Sequence, residues 1–362
     1  MFFFRRKQRI AGPLELVRPE NGTCTGPLQR YRTDPEAVSE AEPPLPGSVE
    51  NGASSLSVSP DYSRPKPVIF SWKPLPNGLG RIRYALHLSR DEDFANAFVT
   101  RDLSQPFATV RNLFVGVRYY WKVVAEGRRI DPVESAVWSF STHPAMPRWV
   151  FVPGVTNIRD LGGWPVPGGQ RVKQGVVYRS SAMSSRRTRH ETGAILIGEL
   201  HIRTDLDLRA KDEGAAPVLD EAVVRWCHAP VPAYGDFANE VGLARYRDAL
   251  QVFADPANYP ILCHCRAGAD RVGTIAFLLL GLLGVGLDDL AQDYELTSLS
   301  IWGKRSRYSP PFLAIMDGLK GFAKSEADSV QQQIENYVLA AGLTAKEIAR
   351  IRETLLEPVP TA

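Results

Sequence analysis

The sequence predicts an α/β domain, with a central mostly parallel sheet flanked by helices, preceded by a small all-β sandwich. Three observations carry this prediction. From about Ala145 onward, short apolar strand signals alternate with amphipathic runs of helix length. From Pro67 to about His143 there are only short β-type runs between turn signals. The first 66 residues show neither period. At 362 residues the chain has room for two domains of ordinary size, at roughly 100 to 200 residues each.

Residues 1–66 contain "ENGTCTGPLQ", "DPEAVSEAEPPLPGSVENGASS" and "SPDYSRPKP", rich in Pro, Gly, Ser and Glu. Such a segment buries too little apolar surface to offset its chain entropy, and a flexible leader is expected. The start, "MFFFRRKQRIAGP", sets three phenylalanines before a basic cluster, the reverse of the order a secretory signal needs.

Residues 67–143 are expected to form the β-sandwich. "VIFSW", "IRYALHLS", "FATV", "RYYWKVVA" and "AVWSFST" read as strands, and "PNG" and "DED" as turns. In "YYWKVVA", Tyr119, Trp121, Val123 and Ala125 alternate on one side, as a half-buried strand requires.

Residues 144–362 are expected to form the α/β domain. "GVVYRSS" and "RTDLDL" read as strands, "ANEVGLARYRDALQVFA" as an amphipathic helix, and "YPILCHC" as a buried strand. "IAFLLLGLLGVGL", from Ile275, is shorter than the ~18 residues of a membrane span and reads as a buried helix, so no transmembrane segment is expected. Three helices follow around "LDDLAQDYELTSL", "PFLAIMDGLKGFAK" and "DSVQQQIENYVLAA", and "TAKEIARIRETLL" closes the chain.

Composition excludes some functions. With 43 basic and 40 acidic residues the formal net charge is +3, without the basic excess of a dedicated nucleic-acid binder, and no nucleic-acid partner is expected. Cys24, Cys227, Cys263 and Cys265 are too few and too scattered for a disulfide framework, and no spacing matches a zinc site. A reducing, cytoplasmic location is expected, with no metal and no cofactor.

The residues that carry chemistry are "HCRAGADRVGT", His264 to Thr274. A buried strand ending at Cys265, a short loop containing Gly268, and a helix starting near Asp270 or Arg271 gather several backbone N–H groups around one point, a geometry that binds an oxyanion. The same N–H nest, the helix dipole and Arg271 favour the ionised, attacking form of a cysteine. Arg271 can hold two oxygens of a phosphoryl group in a bidentate fork that lysine cannot reproduce. A thiolate, a cage of donors and a fixed cation are what phosphoryl transfer through a covalent intermediate requires.

"HCRAGADRVGT" resembles the H-C-x5-R signature of the cysteine-dependent protein tyrosine phosphatase superfamily. "NIRDLGG" (157–163), "VKQGVVYRSSAM" (172–183) and "IRTDLDLRAKDE" (202–213) stand in the order found in bacterial tyrosine/serine and lipid phosphatases with the N-x-R-D-L-G-G entry. The resemblance implies that Cys265 is the nucleophile and Arg271 the phosphate-binding arginine, with His264, Arg266, Ala267, Gly268 and Ala269 forming the loop. It implies Asp270 as proton donor, favoured by reach, with Asp236 in "PAYGDF" as its rival. Asp207 and Arg209 border the pocket or prop its loop, and Asn157, Arg159 and Asp160 of the entry motif support the pocket. The substrate is then a phosphorylated protein or a phosphoinositide. Relatives often carry lysine where Ala269 stands and a hydroxyl where Val272 stands. The missing lysine implies loss of a contact that selects highly charged lipid headgroups, the missing hydroxyl implies slower breakdown of a phosphocysteine, and the two keep open a pseudophosphatase that binds phosphorylated ligands without turnover. A rhodanese-like sulfurtransferase also uses a cysteine cradle, but the ordered upstream motifs speak against it.

The β segment resembles a fibronectin type III module. Trp72 sits in an early strand, and in "LFVGVRY" Leu113 and Gly116 stand six and three residues before Tyr119, as in that family's tyrosine corner. A protein partner bound through this module is the corresponding expectation. Three further features have ordinary readings: Cys263 as a buried strand cysteine rather than a resolving thiol, His264 as a loop-orienting residue, and the basic clusters "SSRRTRH" (184–190) and "KRSR" (304–307) as solvated surface rather than substrate contacts.

Overall fold

A computed structural model describes residues 7–10, 12–29, 61–76, 78–183 and 190–359, and the side chain of His190 is outside the described set. The chain divides into two compact units. One comprises Met1–Leu28 and Pro65–Ala145, the other Gln29–Arg64 and Met146–Ala362.

The first unit is built of strands. One sheet has the order β1 (Leu16–Arg18), β3 (Val68–Trp72), β6 (Phe107–Val110), all antiparallel. The other runs β2 (Thr23–Cys24), β9 (Trp138–Ser141), β7 (Arg118–Gly127), β4 (Ile82–Ser89), β5 (Phe98–Leu103), with β8 (Ile130–Glu134) paired to β7. Tyr119, Trp121, Val123 and Ala125 of β7 are all buried, the alternation read from the sequence. Their core is aromatic: Phe70 meets Trp121 and Phe140 edge-on, at centroid distances of 5.1 and 5.6 Å. Strands β1 and β2 lie within the segment expected as leader. Burial of Leu14, Leu16 and Leu28 tethers it, and these isolated leucines were too sparse to show a period. The stretch from Arg30 to Pro60, which holds most of the leader's Pro, Ser and Glu, lies outside the described residues.

The second unit holds a five-stranded sheet in the order β10 (Arg159–Asp160), β13 (Val177–Ser180), β16 (Ile261–His264), β14 (Thr204–Asp207), β15 (Arg225–His228). Only the β10–β13 pair is antiparallel. The central strand β16 is buried along its whole length, which is why its sequence is a continuous apolar run. Ile261 and Cys263 face one core and Leu262 the other, with Tyr178 and Leu196. A second, three-stranded sheet joins β11 (Pro165–Val166), β12 (Gln170–Val172) and β17 (Leu356–Pro358).

The helices are α1 (His190–Gly193), which passes into a π-helical turn over Ala194–Glu199, then α2 (Glu240–Gln251), α3 (Arg271–Leu282), α4 (Leu287–Leu296), α5 (Pro310–Lys320), α6 (Val330–Ala341) and α7 (Ala345–Leu355). From Val272 to Leu282 every residue of α3 is buried, so this helix sits inside the unit and fixes where the preceding loop ends. Side chains close the starts of three others: Asn239 accepts from Gly242 N–H on α2, and Ser329 with Gln332 and Thr344 with Glu347 form capping boxes on α6 and α7. Among the described residues no helix is long and apolar enough to cross a membrane.

Candidate active site

The loop 265–270 connects the end of β16 to the first turn of α3. The carbonyls of Arg266, Ala267, Gly268 and Ala269 are taken by donors from outside the loop. Ala182 N–H donates to Arg266 O (3.1 Å). Asn157 Nδ2 donates to Ala267 O (3.1 Å) and Gly268 O (3.2 Å). Arg179 Nη2 donates to Gly268 O (2.7 Å) and Ala269 O (3.3 Å). In a trans peptide the N–H points opposite to the C=O. Carbonyls drawn outward therefore turn the N–H groups of Ala267, Gly268, Ala269 and Asp270 toward the inside of the loop, an anion-binding nest at the head of a helix. Gly268 adopts φ +66°, and a Cβ there would lie 2.4 Å from the carbonyl carbon and oxygen of Ser180, so no other residue lets the loop sit this close to β13.

The donors that shape the loop are themselves locked. Arg159 and Arg179, both fully buried, share Asp293 of α4: Arg159 Nε lies 2.8 Å from Asp293 Oδ1, and Arg179 Nη1 makes a short bond to Asp293 Oδ2. Arg159 Nη1 also donates to Asn157 Oδ1 at 2.7 Å, which orients the amide that reads the loop carbonyls. Burial and the neighbouring Arg179 charge lower the Arg159 pKa to about 10. Burial raises the Asp293 carboxyl, but the two guanidiniums more than offset it and hold it below its ordinary value. Asn157 itself sits at φ +53°, with its N–H donating to Ser63 Oγ at 3.2 Å.

Cys265 is 2% exposed, at the inner end of the loop. His264 Nε2 lies 2.8 Å from Asp205 Oδ1 and Nδ1 lies 3.8 Å from Asp207 Oδ1, close approaches without aligned hydrogen bonds. Asp207 grips Arg209 bidentately (2.9 and 2.7 Å), while Leu208 N–H donates to His264 O at 2.9 Å, so this pair braces the strand end behind the loop. Burial raises the Asp207 carboxyl, and its bonds to Arg209 bring it below the ordinary value.

The guanidinium of Arg271 is held by Glu213: Nη2 donates to Glu213 Oε1 at 2.7 Å and Nη1 to the other oxygen. The hydrogen bond from Arg271 is the main reason the Glu213 pKa is pushed down to about 2. Asp270, at the loop exit, receives Tyr234 Oη and both Nε and Nη2 of Arg305 (3.2 and 3.0 Å), all on Oδ1. Asp236 is exposed, on the 3-10 turn Tyr234–Ala238, with Asn239 Nδ2 3.5 Å from its Oδ1.

Of the residues expected at the site, Asn157 and Arg159 meet the loop directly or through one another. Asp160 does not: its carboxylate takes Arg148 Nη1 (2.6 Å) and the N–H groups of Gly162 (2.8 Å) and Gly175 (2.6 Å), so it ties two turns together. Arg266 is exposed and Ala269 buried. Val272 is in the core, and the Thr274 hydroxyl turns back to Asp270 O at 3.3 Å. Cys263 is buried, which pushes its thiol well above the ordinary value, with the Cys265 charge adding to the effect. In the "KRSR" cluster Arg305 reaches Asp270, and Arg307 pairs with Glu295 and Asp288. "SSRRTRH" lies outside the described residues.

Sequence reasoning missed Arg179, Asp293, Glu213, Tyr234 and Arg305. Two of them carried a signal. Arg179 is a charge that follows the apolar run 176–178 into a strand, and Asp293 falls on the buried face of α4, three residues from both Leu290 and Leu296. Among the described residues no cluster of His, Cys, Asp and Glu could hold a metal ion.

A cysteine at the end of a central strand, a donor-lined loop and an arginine at the head of the next helix make this chain a cysteine-dependent phosphatase. Residues 150–357 match the tyrosine phosphatase family, and the chain belongs to that family. A protein of Cupriavidus necator, provisionally named a tyrosine-protein phosphatase, is 32% identical over a match spanning 46% of this chain and 67% of that one. Two solved structures were also compared. The core catalytic domain of the PP-IP phosphatase SIW14 from S. cerevisiae, in complex with citrate, is 22% identical with a TM-score of 0.28, covering 46% of this chain and 84% of that one. A Siw14 catalytic core is 17% identical with a TM-score of 0.29, covering 41% and 82%.

Proposed function

We propose that the protein hydrolyses phosphomonoesters in two steps through a phosphocysteine at Cys265, on phosphotyrosine or phosphoserine proteins or on phosphoinositides. The observation that carries this reading is the outward capture of the loop carbonyls from Arg266 to Ala269, which leaves four N–H groups for the oxygens of one phosphoryl group. In the first step Cys265 Sγ attacks phosphorus and the ester P–O bond breaks. Arg271, kept extended by Glu213, supports the equatorial oxygens, and Asp270 gives its proton to the leaving oxygen. In the second step water attacks phosphorus, returns a proton to Asp270 and releases the sulfur. Asp236 is the rival acid, and its place on the turn that also carries Tyr234, whose hydroxyl meets Asp270, supports that alternative.

The "NIRDLGG" entry supports grouping the catalytic part with bacterial tyrosine/serine and lipid phosphatases, since its Asn157 and Arg159 shape the loop. Residues 67–143 are read as a fibronectin type III-like module that positions the enzyme or recruits a protein partner. Phe114 N–H donating to Tyr119 Oη at 2.9 Å, beside Gly116 at φ +63°, supports that reading. A reducing cytoplasm would keep Cys265 available for attack.

The test is a panel of phosphopeptides and phosphoinositides assayed with the parent and with Cys265→Ser. Turnover by the parent on one class, lost in the variant, is the expected result. Turnover that survives in Cys265→Ser removes the covalent mechanism.

A further inference from the structure

Asp270 is placed by neighbours that no motif identified. All its donors converge on one oxygen: Tyr234 Oη, Arg305 Nε (3.2 Å) and Arg305 Nη2 (3.0 Å) all meet Oδ1. A carboxylate oxygen has about two lone-pair sites, so three donors saturate it. The carboxyl group is fixed in rotation, and a proton it carries must sit on Oδ2.

Both neighbours are built in. Tyr234 is held at φ +51°, a backbone region that non-glycine residues enter at a cost and that clusters at functional sites. Its hydroxyl lies 3.4 Å from that of Tyr294. Arg305 is fixed at both ends. Its N–H donates to Ser298 Oγ (2.8 Å), which donates back to Arg305 O (3.0 Å), and its Nη1 donates to the carbonyls of Lys304 (3.0 Å) and Trp302 (3.4 Å). A surface arginine serving only solubility is not tied down by four such contacts beyond those to Asp270.

We propose that Tyr234 and Arg305 are positioning residues for the general acid, fixing the Asp270 carboxyl so that Oδ2 is the atom that delivers the proton and later recovers it. This rests on Asp270 being the acid. In the first step the electron pair of the breaking P–O bond goes to the ester oxygen, which takes the proton from Oδ2. In the second step the attacking water gives a proton to Oδ2, and the P–S pair returns to sulfur. After each proton delivery the negative charge left on the carboxyl is met at Oδ1 by Arg305 and Tyr234. Among the described residues, Arg271 and Tyr294 also interact electrostatically with Asp270.

The experiment uses the full chain and two substrates that differ in their need for a proton: phenyl phosphate, whose leaving group needs one, and difluoromethylumbelliferyl phosphate, whose leaving group departs as an anion. General acid catalysis is worth roughly 10²- to 10⁴-fold. Asp270→Asn is expected to lose about 100-fold on phenyl phosphate, and Tyr234→Phe and Arg305→Ala about 10-fold each. In kcat/KM, which ends with departure of the leaving group and so omits the second-step proton transfer to Oδ2, all three should lose far less on the activated ester, about 3-fold at most, and Arg305→Lys should recover part of the phenyl phosphate rate. Retained activity on the activated ester also shows that each variant is folded. If Asp270→Asn shows the selective loss while Tyr234→Phe and Arg305→Ala do not, the positioning role is overturned. If Asp270→Asn shows none, the assignment of Asp270 as the acid is overturned instead.

Discussion

Arg179 reaches from the sheet to the main chain of the loop: its Nη2 donates to Gly268 O at 2.7 Å while its Nη1 is bound to Asp293. A cation in a buried strand thus holds the peptide units of the loop by their carbonyls. Replacing it tests whether loop shape or mere burial matters. Arg179→Lys keeps the charge, but its single nitrogen cannot span Asp293 and the Gly268 carbonyl as the two guanidinium nitrogens do, and kcat/KM is expected to fall about 100-fold, the scale of a small misplacement of a reacting group. Steady-state kinetics beside a melting curve separates this loss from unfolding.

Asp293 is the counter-ion to two buried guanidiniums, so Asp293→Asn leaves like charges facing one another without compensation. The cost expected for breaking such a buried pair is about 3–5 kcal/mol, read by urea denaturation. The folded-state carboxyl lies below its ordinary value. Its contribution is therefore fully present above the unfolded value of about 3.9 and lost as pH falls through the lower folded one. The penalty of the substitution should be constant at neutral pH and shrink only in strong acid.

Gly268→Ala introduces a Cβ that would lie 2.4 Å from Ser180 backbone atoms, at φ +66°. The loop must move off β13, which breaks the Arg179 contact. The chain should still fold, with activity down at least about 100-fold and inorganic phosphate no longer a competitive inhibitor. Near-parental kinetics would show that the loop does not need its present path.

Glu213 fixes the fork of Arg271, and Glu213→Gln should lower kcat/KM about 10-fold, with Arg271→Lys costing more. Because the carboxyl is pushed down to about 2, the Arg271 anchor is complete above the ordinary glutamate value and fades only as pH falls toward about 2. Profiles of kcat/KM from about pH 5 to about pH 8 should therefore run parallel for parent and variant. A divergence inside that window would mean that Glu213 titrates during catalysis.

The parts legible in the sequence were those set by local period and by contiguous motif. The runs "VIFSW" and "IRYALHLS" are strands with the boundaries expected, and the apolar run from Ile275 enters the buried helix α3, which ends at Leu282 before the run does. The loop from Cys265 to Arg271 lies between strand and helix as its spacing required. Strands β5 and β8 were missed because Phe98–Leu103 and Ile130–Glu134 carry charges and partial exposure without strict alternation. Glu213, Tyr234 and Arg305 lie far from the loop in sequence and reach it only through tertiary packing, which neither spacing nor composition encodes. Asp160 was placed at the pocket by its neighbours in "NIRDLGG", yet adjacent residues of a strand point to opposite faces, and Arg159 took the one toward the loop network.

The central claim is that Cys265 carries the phosphoryl group between the two steps, and chemical quench during turnover of a phosphopeptide or phosphoinositide that the parent hydrolyses tests it most directly. Mass spectrometry of the quenched parent is predicted to find phosphate on the peptide containing Cys265, and none in Cys265→Ser, which should also be inactive. Steady turnover with that peptide unmodified at every quench time, or turnover persisting in Cys265→Ser, would contradict the account.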